Sequence, residues 1–164
     1  MAQAPVAAFI GLGANLGDAR ATLVAALQDL DRLPGTRVVR QSALYRTKPV
    51  EADGPDYLNA VVEVATDLAP QALLSQLQGL EAQAGRQRPY RNAPRTLDLD
   101  VLLYGAAVID TPELQLPHPR LWQRAFAVVP LAEIAPALVP QDALTAVSGQ
   151  EIERFSGVPW HVSC

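Results

Sequence analysis

Cysteine and histidine are scarce in this chain of 164 residues, and their scarcity removes two classes of site. The single cysteine, Cys164, excludes an internal disulfide framework. With His118 and His161 as the only histidines, no zinc site can be assembled from Cys and His. A reducing, cytoplasmic home is expected. Met1 to Pro5 lacks the basic segment of a secretory leader, and the apolar run Val6 to Leu12 is too short for a signal core or a membrane span. Aromatic residues are few (three Phe, four Tyr and two Trp), so the core must be aliphatic. Ten glycines and fourteen prolines stay short of the roughly 25–30% at which low complexity takes over. A net charge of −4, without an aromatic RNA-binding strand motif, argues against a nucleic-acid partner.

What is present is 49% hydrophobic sequence, enough for one domain spanning 1–164, with no repeat or linker. Val6 to Gly11 reads as a buried strand. Asp18 to Leu33 carries Leu23, Ala26, Leu27 and Leu30 at helical spacing and is stopped by Pro34-Gly35. Thr36 to Tyr45 and Tyr57 to Thr66 read as strands, the latter with Leu58, Ala60, Val62 and Val64 on one face. A helix from Pro70 to Gly85 has an apolar stripe of Leu73, Leu74, Leu77, Leu80 and Ala84. Thr96 to Tyr104 is the last main strand. This order predicts an α+β, ferredoxin-like β-α-β-β-α-β fold, an antiparallel sheet with both helices on one face. A hairpin over 107–118 and a helix over Arg120 to Ile134, interrupted near Pro130, form a C-terminal extension.

The strongest chemical signal is Arg95-Thr96-Leu97-Asp98-Leu99-Asp100. On a strand Asp98 and Asp100 share one face, while Leu97, Leu99, Val101 and Leu103 point into the core. Paired carboxylates are the usual protein contribution to a Mg²⁺ site that also uses substrate phosphates. A solvated strand face with incidental acids is the competing explanation. Against it stands the neighbouring loop: Arg86, Arg88, Arg91 and Arg95 give residues 86–95 a charge of +4 in a chain of net −4. Arginine forks bind phosphate oxygens bidentately, which points to a polyphosphate held between Arg and Mg²⁺. Tyr57 and Asn59 alternate on another strand face, an aromatic plane and an amide that suit a flat heterocycle. Gly11-Leu12-Gly13-Ala14-Asn15-Leu16-Gly17 has the wrong spacing for a nucleotide loop and reads as a tight strand-to-helix turn. A Mg²⁺-dependent nucleotidyltransferase or phosphohydrolase would use the same carboxylates.

Arg91-Asn92-Ala93-Pro94-Arg95-Thr96-Leu97-Asp98-Leu99-Asp100, with Tyr45-Arg46-Thr47, Asp56-Tyr57-Leu58-Asn59-Ala60, Gln78 and Glu81, Pro117-His118-Pro119 and Arg124-x-Phe126, resembles the 6-hydroxymethyl-7,8-dihydropterin pyrophosphokinases of folate biosynthesis. The resemblance runs from about residue 6 to 139. It implies transfer of pyrophosphate from ATP, the co-substrate, to the hydroxymethyl group of the pterin, with two Mg²⁺ ions on Asp98 and Asp100. It implies that Arg86 and Arg95 act in catalysis and that Gln78, Glu81, Arg88, Val101, His118 and Arg124 contact ATP. Thr47, Lys48, Val50, Tyr57, Asn59 and Phe126 would hold the pterin, with Tyr57 and Phe126 as a sandwich. Loops 47–56 and 86–95 would close over both substrates. A monomer with small-molecule partners and no membrane contact is expected. Asn92 stands about where many members carry a tryptophan, Glu113 where some carry an arginine, and Pro119 where some carry a tyrosine.

Overall fold

The computed structural model describes residues 5–14, 19–48, 56–85, 97–154 and 160. Its main sheet is antiparallel throughout. Strand β1 (Val6–Ala14) pairs with β4 (Tyr57–Thr66) on one side and with β5 (Asp98–Tyr104) on the other. On its far side β4 takes both β2 (Thr36–Gln41) and β3 (Tyr45–Thr47). Taking β2 and β3 as one broken strand, this is the ferredoxin-like order expected from the sequence. Helices α1 (Ala19–Asp31) and α2 (Pro70–Gly85) connect the strands. Pro34-Gly35 ends the first of them as expected: Gly35 has φ +57, and a Cβ there would stand 3.1 Å from the Asp67 side chain.

The expected strand Thr36 to Tyr45 is broken at Ser42. Its N–H donates to the Val61 carbonyl at 2.9 Å, and its Oγ accepts the Val61 N–H at 3.0 Å. A side-chain hydroxyl thus takes the place of a main-chain acceptor, and the ladder resumes only at Tyr45. Another correction concerns β5. A bulge shifts the register between Phe9 and Ile10, so that Ile10 faces Val101 but Phe9 faces Leu103. Leu103 therefore packs with Leu102 on the opposite face from Leu97, Leu99 and Val101.

One sheet face carries Ala8, Ile10, Leu12, Leu58, Ala60, Val62, Val64, Leu99 and Val101, all buried against Leu23, Leu27 and Leu30 of α1 and Leu73 and Leu77 of α2. The other carries a second core that the sequence reading did not assign to a sheet face: Phe9, Val61 and Leu102 under Leu121, Val128, Leu131 and Ile134. The covering elements follow the short β6–β7 hairpin (Ile109–Asp110 and Gln115–Leu116). They are a 3-10 turn (Leu121–Gln123), α3 (Ala125–Ile134) and α4 (Gln141–Ala146). The interruption expected near Pro130 occurs instead at Arg124, whose φ −123 and ψ 117 are extended. Pro130 stays inside α3, where burial of Ala127, Val128, Leu131 and Ile134 holds the helix together across the missing N–H. Last comes β8 (Glu153–Arg154), which pairs with Tyr45 and Arg46 of β3.

Candidate active site

The second core fills only part of its sheet face, and the remainder is a cavity of about 1140 Å³. Strand alternation decides what lines its floor. Gly11 and Gly13 of β1 stand on the same side as Phe9, with Tyr57 and Asn59 of β4 on one flank and Asp98 and Asp100 of β5 on the other. Neither glycine has a positive φ. Both lie in the strand, which runs on to Ala14 and so takes in Gly13 beyond the expected end at Gly11, and they matter because side chains there would fill the floor. A Cβ on Gly13 would come within 3.1 Å of Asn59 Oδ1, and one on Gly11 within 3.4 Å of Leu102.

Asn59, only 5% exposed, donates through Nδ2 to Thr47 Oγ1 at 2.9 Å, so β3 fixes the orientation of the amide. Glu81 reaches from α2 and accepts the Leu99 N–H on Oε2 at 2.9 Å. It thereby ties α2 to β5 between the two aspartates. The His118 N–H donates to the Leu102 carbonyl at 3.0 Å, and its ring Nδ1 accepts the Arg120 N–H at 3.1 Å. The other nitrogen, Nε2, therefore carries the proton of the neutral ring and faces Asp100 Oδ1 at 4.0 Å. Burial holds the His118 pKa below its ordinary value; the Asp100 charge opposes this, and Arg124 and Arg120 add to it. The Arg124 guanidinium stands 5.3 Å from the centroid of the Phe126 ring, at the start of α3.

Of the residues singled out from the sequence, Thr47, Lys48, Tyr57, Asn59, Glu81, Asp98, Asp100, His118, Arg124 and Phe126 all line this one cavity. Gln78 lies on the exposed side of α2 and is not among the lining residues, and Val101 is 3% exposed with its side chain in the first core. Val50, Arg86, Arg88 and Arg95 lie outside the described residues. The sequence reading missed Arg120, Gln123, Gln150 and Glu151, which also line the cavity. They belong to the C-terminal elements, whose path over the sheet no local pattern announces.

A family profile described as 7,8-dihydro-6-hydroxymethylpterin-pyrophosphokinase matches residues 9–136. A protein of Pseudomonas aeruginosa named 2-amino-4-hydroxy-6-hydroxymethyldihydropteridine pyrophosphokinase is 43% identical over 156 residues, covering 91% of this chain and 96% of that protein. One of the same name from Methylorubrum extorquens is 44% identical over 153 residues, covering 90% and 97%. Among solved structures, a Plasmodium falciparum HPPK-DHPS triple mutant with STZ-DHP superposes with a TM-score of 0.68 over 88% of this chain. At 14% identity that likeness is one of fold, and this chain spans 42% of the solved one. By its profile match and these identities, the chain belongs to the 7,8-dihydro-6-hydroxymethylpterin-pyrophosphokinase family.

Proposed function

We propose that the cavity binds ATP beside 6-hydroxymethyl-7,8-dihydropterin and moves pyrophosphate from the first to the hydroxymethyl oxygen of the second, releasing AMP, as a step of folate biosynthesis. The supporting observation is a register. Gly13 pairs with Asn59 on one side and with Asp98 on the other. Strands lie about 4.8 Å apart, which separates the amide from the carboxylate by roughly 10 Å across a glycine floor. A bicyclic heterocycle read by Asn59 would span that floor and bring its exocyclic alcohol toward the carboxylates.

Asp98 and Asp100 share a strand face at the cavity, and the Asp100 side chain is about half exposed. Among the described residues no group of three or more His, Cys, Asp or Glu forms a closed metal cage. Such a donor set fits Mg²⁺, which takes one or two carboxylates and fills its shell with water and phosphate oxygens. We assign two Mg²⁺ ions to this pair; bound there, they would neutralise charge on the triphosphate. Tyr57 and Phe126 flank the pterin, Asn59 reads its edge, and Thr47, Lys48 and Val50 border it. Arg124 and the neutral Nε2–H of His118 hold phosphate oxygens, joined by Arg86, Arg88 and Arg95. Glu81 borders the nucleotide, with Gln78 one helical turn away. The alcohol oxygen attacks the β-phosphorus in line, and the bond from that phosphorus to the α-phosphate oxygen breaks. Positioning and charge neutralisation carry such a step.

The reading treats 1–164 as one domain and a cytoplasmic monomer; no described helix is long and apolar enough to cross a membrane. An assay for AMP tests the activity. AMP is expected only with the pterin, ATP and Mg²⁺ together. Release of phosphate without the pterin, or of free pyrophosphate, would overturn it in favour of a phosphohydrolase or a nucleotidyltransferase.

A further inference from the structure

We infer that Gln150 is a positioning residue for both substrates, acting through Arg124 and Phe126; the inference rests on the functional reading above. Helix α3 starts immediately after Arg124, and the Arg124 side chain makes no capping hydrogen bond. The first N–H of the helix, that of Ala125, would be left without a main-chain partner. Gln150 Oε1 accepts it at 2.9 Å, and Gln150 Nε2 donates to the Gln123 carbonyl at 2.8 Å. A single side-chain amide thus grips the main chain on both sides of Arg124. Two residues on is Phe126, whose ring lies beside the Arg124 guanidinium. These two side chains, one just before α3 and one in its first turn, both line the cavity, on the sides assigned to the nucleotide and the pterin.

Gln150 is itself held. Its N–H donates to the Val147 carbonyl at 3.0 Å, and Val147, just after α4, is 3% exposed within the second core. The residues that follow lead to the opposite wall. Glu151 pairs with Lys48 at 3.3 Å, and β8 hydrogen-bonds to β3, the strand that carries Thr47. The stretch 150–154 therefore spans from the start of α3 to the strand that orients Asn59. It lies beyond residue 136, where the family profile ends, and none of the roles implied by the family resemblance falls on it.

Gln150→Leu keeps the side chain's bulk and removes both hydrogen bonds. Calorimetric titration with the pterin and with a non-hydrolysable ATP analogue is expected to show each Kd rising about fivefold, the size of one lost capping interaction. Circular dichroism should be unchanged. In a Phe126→Ala background the pterin effect of Gln150→Leu should vanish, and in an Arg124→Ala background the nucleotide effect should vanish. Unchanged Kd values in Gln150→Leu would overturn the inference, and so would a fivefold loss that persists in those backgrounds. The wild-type titration separates the two readings: failure of wild type to bind the pterin would defeat the functional reading, whereas wild-type binding with an indifferent Gln150→Leu defeats the positioning role alone.

Discussion

The two faces of the sheet are cut from the same strands and end differently. On the face toward α1 and α2, the inward positions of β1 from Ala8 to Leu12, of β4 from Leu58 to Val64 and of the first part of β5 are aliphatic. Toward α3, Phe9, Val61 and Leu102 continue that pattern for half the face. The same rows then run into Gly11, Gly13, Asn59, Tyr57, Asp98 and Asp100. Two absent side chains and four polar or aromatic ones convert the rest of a packing surface into a cavity. Stability and chemistry are thus separated by strand alternation, a distance of one residue along each strand.

Substitutions test that separation, beginning with the largest effect. Asp98→Ala and Asp100→Ala should each lower kcat by about 10³-fold or more while thermal melting is unmoved, and chelation of Mg²⁺ should do the same to wild type. Either variant retaining near wild-type turnover would sink the metal assignment. On the closed face the reverse is expected. Leu27→Ala and Leu77→Ala, both at fully buried positions, should lose about 2–5 kcal/mol in chemical denaturation. The kcat of their folded fraction should not change.

Gly13→Ala sits on the boundary. The added methyl would press on Asn59 Oδ1, so KM for the pterin should rise about tenfold with little change in KM for ATP. Equal changes in both would mean that the glycine serves the whole cavity floor. The smallest effect belongs to Tyr45, whose hydroxyl donates to Glu133 Oε1 at 2.6 Å. Burial, that hydrogen bond and the Glu133 charge raise its pKa to about 12, against a smaller opposing effect of Arg154. A raised pKa gives stability that is complete below pH 10 and declines as pH rises toward about 12. Tyr45→Phe should remove that component of the decline, as measured by denaturation at pH 9 and pH 11.

Strand β4 and helix α2 were legible to the residue, because β4 keeps its alternation over its full length and α2 has a proline start, a leucine stripe and a glycine end. Asp98, Asp100, Tyr57 and Asn59 were legible as pairs for the same reason, since alternation puts residues two apart on one face. What local pattern did not disclose depends on partners far away in sequence. Nothing around Ser42 announces that its hydroxyl will substitute for a carbonyl opposite Val61. The β5 bulge leaves an unbroken apolar run that looks regular, so Leu103 was given the wrong face. Gly13 looked like a turn residue because glycine has two uses, conformational freedom and absence of bulk, and here it is the second. Pro130 looked like a break, but the buried face of α3 outweighs one missing hydrogen bond.

The contacts of Gln150–Arg154 and of Trp160 also join parts of the chain that are translated far apart in time. The Trp160 indole N–H donates to the Ser42 carbonyl at 2.8 Å, the Gln41 side-chain amide donates to the Trp160 carbonyl, and Arg154 pairs with Tyr45. A nascent chain that has reached Phe126 already carries every side chain assigned to the two substrates. It still lacks the segment that braces both cavity walls. At roughly 5–20 residues per second, that segment follows some 2–7 s later. Over that interval the growing chain holds every residue assigned to the substrates but not yet the contacts that Gln150–Arg154 and Trp160 make with the start of α3, with β3 and with Ser42.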